Sequence, residues 1–287
     1  MSFKDDLYDV VPHDKFSSVW DSFFNPKDVG FFINLLKADE KSVLDELKIL
    51  GVEFFKFYEN FYICKSNFKT VLTHCDLFNS GKIYIQNPSS FLAPLTLNVA
   101  PGQSVLDMCA SPGGKSVALS NFMKKSGYLA AMELDTNRFF TLKSNLKKYN
   151  CEWVKTYNKD ARSVSRTCFE KFDKILLDAP CSSYSCYNEN FKEKSHKEIK
   201  NISKLQKQLL NSALNALKSG GEIVYSTCTF YEEENEEVIK NALNSKFKIQ
   251  VLPIDINLKQ ALKSEFGVRI LPDATMDAFF ISRLMKL

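Results

Sequence analysis

Two cysteines stand in matching places in this sequence. Asp178-Ala-Pro-Cys181-Ser-Ser follows one apolar run, and Tyr225-Ser-Thr-Cys228-Thr follows another. A thiol in a turn beyond a strand can be partly exposed and can meet N–H donors that favour the thiolate, its nucleophilic form. Four acids are spaced in a related way: Asp107 in a first strand-like run, Glu133 ending a second, Asp160 after a third and Asp178 ending a fourth. An acid after the second strand of an open α/β sheet commonly accepts hydrogen bonds from a ribose diol. Asp160-Ala-Arg could receive an adenine amino group. Any one of these acids alone would pass for a helix cap; four at successive strand ends form a pattern.

The acids surround Ser104-Val-Leu-Asp-Met-Cys-Ala-Ser-Pro-Gly-Gly-Lys-Ser116, which reads as strand, glycine turn and helix. Glycine lets a ligand approach the turn backbone, and the first helical N–H groups point at whatever sits there. The turn is neither of two better-known loops. A dinucleotide fingerprint needs a third glycine, and a Walker A loop needs an opening glycine where Cys109 stands.

The elements that must position these residues alternate. After the first strand and helix come a strand over 128–133, a helix over 136–149, strands over 151–157 and 174–178, and a helix over 199–217. A strand over 222–226, a helix over 232–243 whose opening acids suit its dipole, and strands over 247–252 and 278–284 complete the series. This predicts a doubly wound, mostly parallel α/β sheet of seven strands, Rossmann-like, over 81–287. Residues 28–80 read as a small α+β accessory domain with a βαβ-type pattern: a strand over 31–36, a helix over 40–50, aromatic strands within 52–64 and helical turns over 71–78. Residues 1–27 read as a short helix or arm.

Composition sets outer bounds. The 287 residues are 45% hydrophobic and 25% charged, the profile of a soluble globular chain. No apolar run approaches the ~20 residues of a membrane span. The N-terminus has no basic segment followed by an apolar core, so a cytoplasmic location and no membrane partner are expected. A net charge of +4 is only a weak pointer to an anionic partner. The eight cysteines form no C-x-x-C pair and have no histidine at ligand spacing, so no metal is expected. Cys64, Cys75, Cys151 and Cys168 read as small core residues, and Cys186 as incidental.

The stretches VLDMCASPGGKS, LLDAPCSS and YSTCT resemble the RNA 5-methylcytosine methyltransferases of the RsmB and Sun (NOL/NOP/Sun) family. Gly81-Lys-Ile-Tyr-Ile-Gln-Asn-Pro-Ser-Ser, Gln206-Lys-Gln-Leu-Leu and Asp277-Ala-Phe-Phe extend the likeness, which is strong over 80–287 and faint over 28–80. Ile33 stands where the family usually has an arginine before the asparagine, and Ala278 where it usually has a glycine. The resemblance implies methyl transfer from S-adenosylmethionine to cytosine C5 of RNA, ribosomal RNA ahead of transfer RNA. By position it makes Cys228 the nucleophile, Cys181 the second cysteine that assists product release, and Asp178 an acid near both cofactor and base. It places the methionine end of the cofactor on Cys109, Ala110, Ser111, Pro112, Gly113, Gly114 and Lys115, the ribose on Glu133 and the adenine side on Asp160. Arg138 is counted with the cofactor-binding residues. Two other functions compete: a P-loop-like ATPase using Lys115 and Asp178, and a catalytically silent RNA-binding ribosome-assembly factor.

Overall fold

The computed structural model describes residues 2–287. Helices Phe3–Val10 and His13–Ser22 open the chain. A four-stranded sheet follows, made of β1 (Val29–Ile33), β2 (Phe54–Tyr58), β3 (Phe61–Cys64) and β4 (Ile83–Ile85) in the order β2-β3-β1-β4. It is antiparallel throughout rather than βαβ. Only Glu59 and Asn60 separate Tyr58 from its partner Phe61, and so short a turn can return the chain only as a hairpin. All five β1 residues are buried. Phe31 and Ile33 pack with Val43 and Leu47 of helix Glu40–Ile49, whereas Phe32 joins the core of the large domain. A strand covered on both faces need not alternate.

The large sheet comprises β5 (Ser104–Asp107), β6 (Tyr128–Glu133), β7 (Lys155–Asn158), β8 (Phe172–Asp178), β9 (Leu217–Thr227), β10 (Ile249–Leu252), β11 (Ala261–Ser264), β12 (Gly267–Ile270) and β13 (Phe279–Lys286). Their order is β7-β6-β5-β8-β9-β13-β12-β11, with β10 also on β13. The strands from β7 to β9 run parallel, and β13 enters antiparallel to β9. The seven expected strands are present. The β11–β12 hairpin raises the count to nine and escaped notice because its strands have four residues each and little apolar alternation. Helices Gly114–Phe122, Thr136–Lys148 and His196–Ala216 make crossovers between parallel strands. The order reverses at β5, flanked by β6 and β8, so a crevice opens beyond the carboxyl end of β5, where such sheets take ligands.

The segment after residue 80 divides differently from expectation. β4 completes the small sheet, and helix Pro88–Leu97 buries Phe91 and Leu92 in one core cluster with Val105, Val117 and the small-sheet residues Phe32, Phe61 and Ile63. Asn34 locks this junction. Its Nδ2 donates to the carbonyls of Gly81 and Tyr149, each at 3.0 Å, and its Oδ1 accepts from Asn121 Nδ2 at 3.0 Å. The opening helices pack Phe3 and Leu7 into a cluster with Tyr184, Phe230 and Tyr231, on the loops that follow β8 and β9.

Candidate active site

The β5 strand delivers Asp107 to the crevice fully buried. Ser116 Oγ donates to its Oδ2 at 2.7 Å, and its Oδ1 has no partner. Burial, against weaker help from Ser116 and Lys115, pushes this carboxyl up to about 7. Gly113 (φ 115°) makes the left-handed turn into helix Gly114–Phe122, whose N-terminus no side chain caps. A Cβ at Gly114 would lie 2.8–2.9 Å from the Tyr84 ring, so its glycine is required by a side chain arriving from β4. The turn is braced from behind: Arg138 Nη2 donates to Ser111 O at 3.1 Å, Ser111 Oγ to Arg138 O at 2.9 Å, and Asn145 Nδ2 to Pro112 O at 2.8 Å.

A cleft of about 780 Å3 lies along the strand ends. Cys109, Ser111, Glu133, Arg138, Asp160, Asp178, Cys181 and Cys228 line it, with Leu205 and Leu209 as an apolar wall. An adjoining pocket of about 200 Å3 takes in Asp107, Ala110, Pro112, Gly114 and Lys115, together with Tyr84 and Gln86 from the domain junction. Gly113 lines neither and acts through the turn. Glu133 is buried; its Oε1 accepts from Asp135 N at 2.9 Å and its Oε2 lies 3.7 Å from Arg138 Nη2. Asp160 is gripped by the guanidinium of Arg162, at 2.9 Å from Nε and 2.6 Å from Nη2, which holds its carboxyl below the usual range. Lys115 Nζ contacts Asp178 Oδ2 at 2.7 Å, and Ser226 Oγ donates to Asp178 Oδ1 at 2.7 Å.

The two thiols meet at this cleft, their sulfurs 3.0 Å apart. Their titrations part: the Cys181 thiol is pushed up by its contact with Cys228 and by burial, and Cys228 is drawn down by that contact and by the hydroxyls of Ser183 and Ser185. Burial and Asp178 oppose the second effect. The expected N–H donor does not serve Cys228, whose own amide points 3.4 Å from Cys181 Sγ. Cys109 is pushed up by burial and by Asp107, Asp178 and Glu133, so it is a wall rather than a thiolate. Cys64 and Cys151 are buried and Cys186 is exposed.

Sequence reasoning missed three parts of this region. Gln86 sits within a quoted motif, yet its place in the smaller pocket emerges only when β4 docks. Arg162 follows Asp160 so closely that its claim on that carboxylate could have been read from the i, i+2 spacing. Glu232–Glu234 form a short turn rather than opening the helix, which is Glu236–Leu243, and Glu234 is completely buried.

The sequence model of the 16S rRNA methyltransferases RsmB/F matches residues 94–285. The chain belongs to the RsmB/F methyltransferase family. Among similar members is the tRNA (cytosine(49)-C(5))-methyltransferase of Pyrococcus abyssi, 31% identical over 93% of this chain and 91% of that protein. The ribosomal RNA small subunit methyltransferase F of Vibrio atlanticus is 33% identical over 72% of this chain and 46% of its own length. The probable methyltransferase B of Bacillus subtilis is 31% identical over 72% of this chain and 47% of its own length. The chain thus spans about half the length of these two relatives. A crystal structure of a methyltransferase homologue from Pyrococcus horikoshii superposes with a TM-score of 0.86 at 31% identity, covering 98% of this chain and 94% of that one.

Members of the RsmB/F family are S-adenosylmethionine-dependent RNA cytosine-C5 methyltransferases. The residues present fit that cofactor: an uncapped helix N-terminus at a glycine turn, a buried carboxylate with a free oxygen beside it, and a cleft of cofactor size with an acid at each of three strand ends. Cys109 to Lys115 would hold the methionine end, Glu133 the ribose, and Asp160 with Arg162 the adenine side. Among the described residues no helix is long and apolar enough to cross a membrane.

Proposed function

We propose that this chain methylates C5 of cytosine in RNA by way of a covalent bond between Cys228 and C6 of the base. The reading is carried by one observation: two sulfurs 3.0 Å apart on the wall of the cleft that Glu133, Asp160 and Asp178 also line. S-adenosylmethionine, when bound, supplies the electrophilic methyl group. Cytosine C5 is a poor nucleophile until a thiolate adds at C6, which turns the base into an enamine and splits one hard step into easier ones. Cys228, drawn toward the thiolate, is suited to that attack. After C5 is methylated its proton passes to a base or an ordered water, that bond's electrons restore the C5–C6 double bond, and the C6–S bond breaks; Cys228 leaves as the thiolate it began as, stabilised by Cys181, held protonated beside it. Asp178, with Lys115 and Ser226 on its oxygens, faces the same cleft and suits the N3 and amino edge of the base. The target must be unpaired or flipped to reach it.

A ribosomal RNA substrate ahead of transfer RNA, phosphate contacts from lysine-rich surfaces with help from the small domain, and a cytoplasmic setting complete the proposal. Against the ATPase alternative stands Cys109 in place of the opening glycine of a Walker A loop. Incubation with tritiated S-adenosylmethionine and separate rRNA and tRNA fractions, followed by bisulfite sequencing, tests it. We expect label at protected cytosines in rRNA. Label confined to tRNA overturns the preference, and label at other bases or none at all overturns the activity.

A further inference from the structure

Cys181 and Cys228 reach each other from different loops, one after β8 and one after β9, joined directly by backbone bonds from Ala179 N to Ser226 O at 2.9 Å and from Ser185 N to Cys228 O at 3.0 Å. Both loops are tied to Glu234 and Asn235. Glu234 Oε2 accepts from Ser182 N at 2.9 Å and from Gln206 Nε2 at 3.0 Å, and the same Gln206 nitrogen donates to Pro180 O at 2.9 Å. These bonds hold the residues on either side of Cys181. Asn235 Oδ1 accepts from Thr227 Oγ1 and its Nδ2 donates to Thr229 O at 3.1 Å, which hold the residues on either side of Cys228. Ser182 and Thr229 close the frame with a hydroxyl–hydroxyl bond at 2.7 Å.

Stability does not account for Glu234. Its side chain is fully buried, its Oε1 has no partner, and burial pushes its carboxyl up. A buried carboxylate with an orphaned oxygen costs free energy that an apolar residue would not. It does not line the cleft, so it does not touch the reacting groups.

We infer that Glu234 and Asn235 are positioning residues that set the distance between the two thiols, and so the rate at which Cys181 can release Cys228 from the methylated base. The inference rests on the covalent reading proposed above. Glu234→Leu keeps the volume and removes the acceptor, whereas Glu234→Gln keeps an acceptor oxygen and removes the charge. With RNA and S-adenosylmethionine, Glu234→Leu is expected to accumulate a protein–RNA adduct on a denaturing gel. Its release step should slow on the order of 100-fold, the scale of an ångström's misplacement. Glu234→Gln should restore release to near the wild-type rate. Without RNA or cofactor, iodoacetamide should label Cys228 ahead of Cys181 in the wild type and in Glu234→Gln, and the preference should shrink in Glu234→Leu.

A Glu234→Leu protein that melts like the wild type, releases product at its rate and keeps its labelling preference overturns the inference. So does equal damage from Leu and Gln. If Glu234→Leu fails to fold, Asn235→Ala cuts the ties to Thr227 and Thr229; a wild-type release rate and labelling preference there also overturn it. Cys181→Ala is the control for the underlying reading: no adduct from it refutes Cys181 as the releasing thiol, and the labelling preference still decides the role of Glu234.

Discussion

Replacing Cys181 with alanine should raise the pKa of Cys228. The Cys181 sulfur lies 3.0 Å from that of Cys228, and its donated proton is the largest of the influences that favour the Cys228 thiolate. What remains is a contest between burial and Asp178, which oppose ionisation, and the weaker help of the Ser183 hydroxyl at 3.8 Å and the Ser185 hydroxyl. A hydrogen bond to a charged group contributes about 1.5–3 kcal/mol, and a thiol is a weak donor, so the lower end applies. The Cys228 thiolate should lose about 1.5 kcal/mol of stabilisation, and its labelling midpoint should move to higher pH. Iodoacetamide labelling across a pH series, followed on the Cys228 peptide by mass spectrometry, reads this directly, with exposed Cys186 as the reference thiol. An unchanged midpoint in Cys181→Ala would refute the reasoning, because the donor would then not be acting on Cys228.

Three further outcomes follow from the geometry. Glu133→Ala should weaken S-adenosylmethionine binding by about 1–3 kcal/mol in calorimetry, the range for losing hydrogen bonds to a carboxylate; unchanged affinity removes it from the ribose site. Gly114→Ala should lower the unfolding free energy in urea by about 1–3 kcal/mol of overpacking, because its Cβ meets a Tyr84 ring already stacked on Phe32 and packed against Tyr149; Tyr84→Ala in the same chain should cancel the added penalty. Asp107 has its folded pKa raised to about 7, so its stabilising share is complete below the pKa of the unfolded chain and is lost as pH rises through about 7. Asp107→Asn should remove on the order of 4 kcal/mol of that pH dependence, read from urea midpoints between about pH 4 and 8.

The site was legible where its residues act at strand ends. Asp107, Glu133 and Asp178 could be placed at one sheet edge because an apolar run that stops at an acid fixes both the strand and its end, and Asp160 joins them two residues beyond β7. The two cysteine turns were legible for the same reason. What lay hidden depends on contacts between distant segments. Gly114 signals a close approach, but nothing in the sequence near it says that the approaching group is Tyr84. Asn34 reads only as a polar residue after an apolar run until it is seen bonded to Gly81, Asn121 and Tyr149 across the domain junction. Glu234 sits in a run of acids that reads as a solvated helix start, and only the packing of Ser182 and Gln206 against it reveals a buried one. The β11–β12 hairpin pairs through four-residue strands whose exposed positions blunt the periodic signal.

The unequal roles of the two thiols are the centre of this account, and a denaturing gel of single mutants with RNA and S-adenosylmethionine tests them most directly. Cys228→Ala should bind cofactor, methylate nothing and form no adduct. Cys181→Ala should attack more slowly yet stall after methylation, because release loses the group that stabilises the leaving thiolate, and should accumulate a slow-migrating band that ribonuclease removes. The double mutant should show no band. A band from Cys228→Ala with none from Cys181→Ala would reverse the assignment, and full activity in Cys228→Ala would contradict the covalent mechanism itself.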